Sequence, residues 1–136
     1  MINVIVVTHG EFGSYLIEAA EGIVGAQGEG VVSVSISPRL RIDEVRKRLD
    51  DALRVLGQED GVILLADMPG GTPCNVAVPA AAGKKNTRVI SGVNLYMLVT
   101  AFNHRRDTPL DDLAEKIIAD GKKSIADIQK LLAAKS

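Results

Sequence analysis

The sequence predicts an α/β protein with a doubly wound, mostly parallel sheet and helices on both faces. Two observations carry this. Short, nearly continuous apolar runs recur along the chain, as in parallel strands covered on both sides. Amphipathic stretches of helical period fill the gaps between them, so the pattern is a series of βαβ units.

The runs "INVIVV" (2–7), "VVSVSI" (31–36) and "GVILLA" (61–66) read as strands, and "TRVISG" (87–92) as a shorter fourth. Phe12, Leu16, Ala19 and Ile23 form a helical stripe with Gly25 near its end. Ile42, Val45, Leu49, Ala52 and Leu56 form a second, with Asp43 and Glu44 in its first turn and Gly57 after its last. Thr72 and Pro73 read as an N-cap followed by proline at the first helical position. The helix they open contains Pro79, where it is expected to stop or bend. A further apolar helix follows Asn94, and "HRRDTP" is a polar break. From Leu110 to Leu132 the apolar residues Leu113, Ile117, Ile125, Ile128 and Leu132 keep helical spacing, interrupted at Gly121.

With 136 residues the chain fits a single domain, 1–136. Sixteen Lys and Arg against seventeen Asp and Glu leave a net charge of −1, which excludes a general nucleic-acid or anionic-membrane surface. No segment reads as a signal peptide or membrane span, and a lone cysteine fits a reducing compartment, so a cytoplasmic location is expected.

Ligands of open α/β sheets bind beyond the carboxyl ends of the strands, where the strand order reverses. Three loops are singled out on this basis: "THGEFG" after the first strand, "DMPGGTPCN" after the third and "SGVN" after the fourth. In a 2-1-3-4 order the first and third strands are neighbours, and His9 faces Asp67 across the crevice. A carboxylate accepting the Nδ1 proton of His9 fixes the tautomer and presents Nε2 as a nucleophile. Gly70 and Gly71 let the main chain approach a ligand, and amides of Gly71, Thr72 and the following helical turn can cradle anionic oxygens. The Thr72 hydroxyl either caps that helix or donates to the anion. The arrangement fits a phosphoryl group on His9.

Each residue also has a plainer reading. His9 can be a turn residue, Asp67 a strand-end turn former, and "PGGTP" a tight connection. Cys74 reads as a small buried residue and His104 as a solvated loop residue. Two histidines and one cysteine far apart in sequence offer no metal-ligand spacing, and no Walker A or dinucleotide fingerprint occurs, so neither metal nor cofactor is expected.

Taken together, "VVTHGEFG", "LLADMPGGTPCNVA" and "VISGVNLYML" resemble the mannose-type enzyme IIA domain of the bacterial phosphoenolpyruvate:sugar phosphotransferase system. The resemblance implies a phosphotransferase component with a phosphohistidine intermediate. It takes a phosphoryl group from phosphorylated HPr on His9 and passes it to a IIB protein. It places the supporting aspartate at Asp67 and the loop residues at Gly70, Gly71 and Thr72. It also implies a homodimer with an exchanged carboxyl-terminal edge strand, for which "KSIADI" is the candidate, although periodicity reads that region as helix. With no IIB segment after the domain, the acceptor is expected to be a separate protein, and contact with the membrane only indirect, through the IIC and IID transporter. Phe12, Met68 and Leu95 are expected at an apolar rim.

Two other readings of the histidine stand beside this one. A regulatory module would carry the same phosphohistidine without feeding a transporter. A histidine phosphatase would hydrolyse it, but "THGE" has Thr8 where such enzymes carry arginine, and His104 sits in no matching context. The phosphotransfer subunit of dihydroxyacetone kinase is related but differs around the histidine and in the glycine loop.

Overall fold

The computed structural model describes residues 1–57 and 60–135. Its elements alternate as the sequence predicts: β1 (Asn3–His9), α1 (Phe12–Val24), β2 (Val31–Ile36), α2 (Ile42–Leu56), β3 (Val62–Ala66), α3 (Thr72–Ala81), β4 (Thr87–Ile90), α4 (Leu95–His104), α5 (Leu110–Lys123) and α6 (Ile128–Ala134). The four strands pair in parallel in the order β2-β1-β3-β4. Each connection is therefore a crossover, and β1 and β3 are the central pair.

Residues of β1 point alternately to the two faces of the sheet. Val4 and Val6 pack with Ile63, Leu65, Leu98 and Leu113 under α1, α4 and α5. Ile5 and Val7 pack with Leu64, Val45, Leu49 and Val76 under α2 and α3. This alternation decides where the last two residues of β1 point: Thr8 continues the first face and His9 the second.

At the opposite end of the strands, Arg105 is 1% exposed. Its guanidinium donates to the carbonyls of Ile2 at 2.9 Å and Glu29 at 2.7 Å, and to Gln27 Oε1 at 3.1 Å. Burial of the charge lowers its pKa, and these neutral acceptors are what hold it. The side chain thereby ties the start of β1 to the α1–β2 connection.

Two local expectations, at Thr72 and Gly121, are corrected. Gly71, not Thr72, is the N-cap of α3, so Thr72 and Pro73 are its first two residues. Pro79 lies in the last turn, and the helix runs two residues past it to Ala81 before it stops. Gly121 is buried inside α5 and does not interrupt it. A side chain there would stand 2.6 Å from Met97 Cγ, so the glycine is what lets α5 close on α4. The break falls later: Lys123 ends α5, and the residues before Ile128 form a short link and no strand. The helical reading of the tail therefore holds for Leu110–Lys123 and Ile128–Ala134 but not for the link between them, which is neither helix nor strand in this chain.

Among the described residues no helix is long and apolar enough to cross a membrane.

Candidate functional site

His9 is the last residue of β1, and Asp67 follows directly after β3. Because β1 and β3 are neighbours in register, with Val7 opposite Ala66, both side chains emerge at the same edge. Asp67 Oδ2 lies 2.7 Å from His9 Nδ1 and accepts the main-chain N–H of His9 at 2.9 Å. The other oxygen, Oδ1, accepts the amide of Met68 at 2.8 Å.

The imidazole is half exposed (53%) while the carboxylate is mostly covered (13%). Burial raises the Asp67 pKa. The His9 amide, the His9 ring and the Met68 amide together outweigh it, and the carboxyl titrates below its ordinary value. An ionised carboxylate only accepts, so the proton between the two side chains sits on Nδ1, and in the neutral tautomer this selects, the lone pair is on Nε2.

The two glycines serve different ends. Gly70 has φ +78°, a conformation that disfavours any side chain, and has open space around it. Gly71 has an ordinary φ of −84°, but a Cβ there would stand 3.3 Å from His9 Cε1 and 3.1 Å from Met68 Cγ. Gly70 makes the turn, whereas Gly71 makes room for the ring. Thr72 is half-buried at the first position of α3, and α3 has no side-chain cap. Of the two uses open to its hydroxyl, capping is therefore not the one adopted. Pro73 lacks an N–H, and the Asn75 amide is taken by the Gly71 carbonyl at 2.9 Å. The helix start nearest the ring thus presents the Thr72 and Cys74 amides and the Thr72 hydroxyl, a set of donors suited to anionic oxygens.

His9 and Thr72 line a cleft of about 250 Å³ together with Ile36, Ser37, Pro38, Leu40, Ile42 and Val45. This cleft lies on the α2–α3 side of the sheet and is walled by the loop after β2, which the three-loop reading omits. The signal was present: in the order β2-β1-β3-β4 the carboxyl end of β2 adjoins that of β1, and His9 pairs with Ile36. The loop after β4 is tied to the strand end beside Asp67, where the Val93 N–H donates to the Ala66 carbonyl at 3.0 Å, but its other residues face away from this cleft. Ser91, Gly92 and Asn94 line a second groove with Met97 and Gly121.

Of the expected rim residues, Phe12 and Met68 are exposed, Met68 beside Gly71 and Phe12 at the start of α1. Leu95 is half-buried and faces a groove with Ile23, Tyr96 and Val99 instead. Cys74 is half-buried. His104 closes α4 and is likewise half-buried, at the end of that helix remote in sequence from its Asn94 cap.

The chain is thus an α/β protein with a parallel 2-1-3-4 sheet and a carboxylate-bound histidine where the strand order reverses, and known proteins share this fold. A family model described as "PTS system fructose IIA component" matches residues 3–118. The chain is 31% identical over 125 residues to the "PTS system mannose-specific EIIAB component" of Escherichia coli K12, a match covering 91% of this chain and 38% of that relative. It is 29% identical over 124 residues to the "PTS system fructose-specific EIIA component" of Bacillus subtilis 168, covering 91% of this chain and 84% of the relative. Among solved structures, EIIA from Streptococcus agalactiae superposes with a TM-score of 0.86 at 30% identity, covering 96% of this chain and 99% of that one. The mannose/sorbose-specific IIA subunit from Enterococcus faecalis gives 0.82 at 26%, covering 92% of each. The chain belongs to the mannose/fructose-type IIA family of the phosphotransferase system.

Proposed function

We propose that this protein is a phosphoryl carrier in sugar uptake, with Nε2 of His9 as the atom that holds the group. The observation that carries the reading is the 2.7 Å contact between His9 Nδ1 and Asp67 Oδ2, which in the neutral ring puts the proton on Nδ1 and makes Nε2 the nucleophilic nitrogen. The donor is phosphorylated HPr and the acceptor a IIB protein or domain. The membrane is reached only indirectly, through the IIC and IID transporter.

In the forward step the Nε2 lone pair forms a bond to phosphorus in line with the breaking P–N bond of the donor. The donor imidazole departs with the electron pair. His9 then carries a phosphoryl group on Nε2 and a proton on Nδ1, a ring cation that the Asp67 carboxylate neutralises. The Thr72 hydroxyl and the amides of Thr72 and Cys74 face the phosphoryl oxygens, and Gly71 keeps the approach clear. Nothing in the step needs a metal: the phosphoryl group arrives activated, and catalysis consists of positioning and charge stabilisation. The apolar wall of Ile36, Pro38, Leu40 and Ile42 limits access of water to the high-energy bond and offers partners a surface to dock on.

A homodimer belongs to the same proposal. It is supported by α6, which buries no residue, and by the exposed Tyr96, Ile125, Ile128, Leu131 and Leu132.

The test is incubation with phosphoenolpyruvate, enzyme I and HPr. One phosphoryl group should be incorporated, labile in acid, and lost in His9→Ala. Label retained by that variant, or absent from the unaltered protein, would overturn the reading.

A further inference from the structure

We propose that Thr8 is a positioning residue for His9, acting through the turn that joins β1 to α1. The kinetic part of this proposal rests on the phosphoryl-carrier reading; the geometric part does not.

Thr8 is 1% exposed and points to the sheet face opposite His9. Its Oγ1 accepts the N–H of Gly13 at 2.8 Å and donates to the carbonyl of Gly10 at 3.4 Å. Gly13 is the second residue of α1, where a capping side chain would normally satisfy the amide. The N-cap residue of α1, Glu11, makes no side-chain cap bond. A threonine of the preceding strand therefore does the capping from beneath the helix.

The fit is close. A Cβ on Gly13 would stand 3.0 Å from Thr8 Oγ1, 3.0 Å from Val6 Cγ1 and 3.2 Å from Thr8 Cγ2. The first turn of α1 thus rests directly on the end of β1, with the hydroxyl as the polar contact between them.

The consequence concerns the two residues in between. Gly10 has φ +55°, its N–H donates to the Ile36 carbonyl at 2.8 Å, and its own carbonyl meets the Thr8 hydroxyl. On the other side of the histidine, the His9 N–H is held by Asp67 Oδ2. The main chain is thus pinned before and after His9, and Thr8 supplies the pin that the active face does not show. Valine has the same shape but neither bond. It would leave the Gly13 amide buried and unpaired, so the helix start lifts and the Gly10 peptide turns with it. The ring then loses its alignment on Asp67. A displacement of this kind, remote from the reacting atom, is costly to a transfer that depends on position.

The experiment compares Thr8→Val and Thr8→Ser with the unaltered protein by three measurements: melting, the ¹⁵N shifts of the His9 ring nitrogens, and the rate of labelling by phosphorylated HPr. A merely structural role lowers the melting temperature and leaves the ring nitrogens alone. Positioning predicts that Thr8→Val moves the ring shifts away from the Nδ1–H form and slows labelling about tenfold, while Thr8→Ser restores both. If Thr8→Val does not fold, Gly13→Ala, which crowds the same hydroxyl, must move the ring shifts in the same direction. Ring shifts and rates unchanged in Thr8→Val, or ring shifts unchanged in Gly13→Ala where that variant stands in, would sink the proposal. Failure of the unaltered protein to take label would count against the carrier reading alone, since the ring shifts still decide the role of Thr8.

Discussion

A single oxygen of Asp67, Oδ2, binds His9 twice, at the ring nitrogen Nδ1 and at the main-chain N–H. The carboxylate therefore fixes the direction of the ring and the position of its backbone at once. In Asp67→Asn the amide still fits, but the charge that answers the phosphorylated ring is gone. Phosphoryl transfer should slow about ten- to a hundredfold, with the fold unchanged by circular dichroism. Transfer at the unaltered rate would remove the electrostatic role.

The same carboxylate carries a pH signature. Its pKa in the folded protein lies below the value of about 3.9 that an unfolded chain gives an aspartate. Its contribution to stability is therefore complete above that value and is lost as the pH falls through the lower, folded one. Denaturation series on the unaltered protein and Asp67→Asn should converge as the pH falls below about 4 and through the lower, folded value. A gap that persists undiminished or widens below about pH 4 would contradict the assignment.

Gly70 and Gly71 should respond to alanine in opposite ways. Gly70→Ala forces a side chain into φ +78° and should cost about 1 kcal/mol of stability with little effect on transfer. Gly71→Ala meets no backbone strain, but its Cβ would press on His9 Cε1 at 3.3 Å. It should melt close to the unaltered protein and transfer about tenfold more slowly. Thermal melts and labelling rates on both variants check the contrast.

Truncation after Ser124 removes α6, which buries nothing. The shortened chain should keep its fold and its labelling rate and, on the homodimer proposed above, should elute as a monomer while the full chain should elute as a dimer. An unchanged elution volume would place the dimer contact elsewhere.

Much of this architecture was legible in the residues themselves. The continuous apolar runs in β1 and β3 could belong only to strands covered on both faces, and the switch-point rule then set His9 against Asp67. What escaped was the side toward which the site opens. That depends on the loop after β2, which carries no histidine, acid or glycine pair to advertise it. Leu95 was misplaced for a related reason. Hydropathy marks it as apolar but not as facing the groove with Ile23 and Tyr96 rather than the imidazole. Gly121 looked like a helix breaker because the close approach of Met97, which makes glycine necessary there, comes from a different helix.

The alternation of β1 between its two faces has a further implication for how this protein tolerates change. Thr8 and His9 sit one step apart and look in opposite directions, so deleting one residue earlier in the strand would carry the imidazole to the buried position of Thr8, and inserting one would put the threonine hydroxyl where the imidazole stands. Shifts of two would restore the sides but lose the pairing with Asp67. The strand is in effect a ruler with no slack, whereas the link between α5 and α6, which belongs to no ladder, can change length freely.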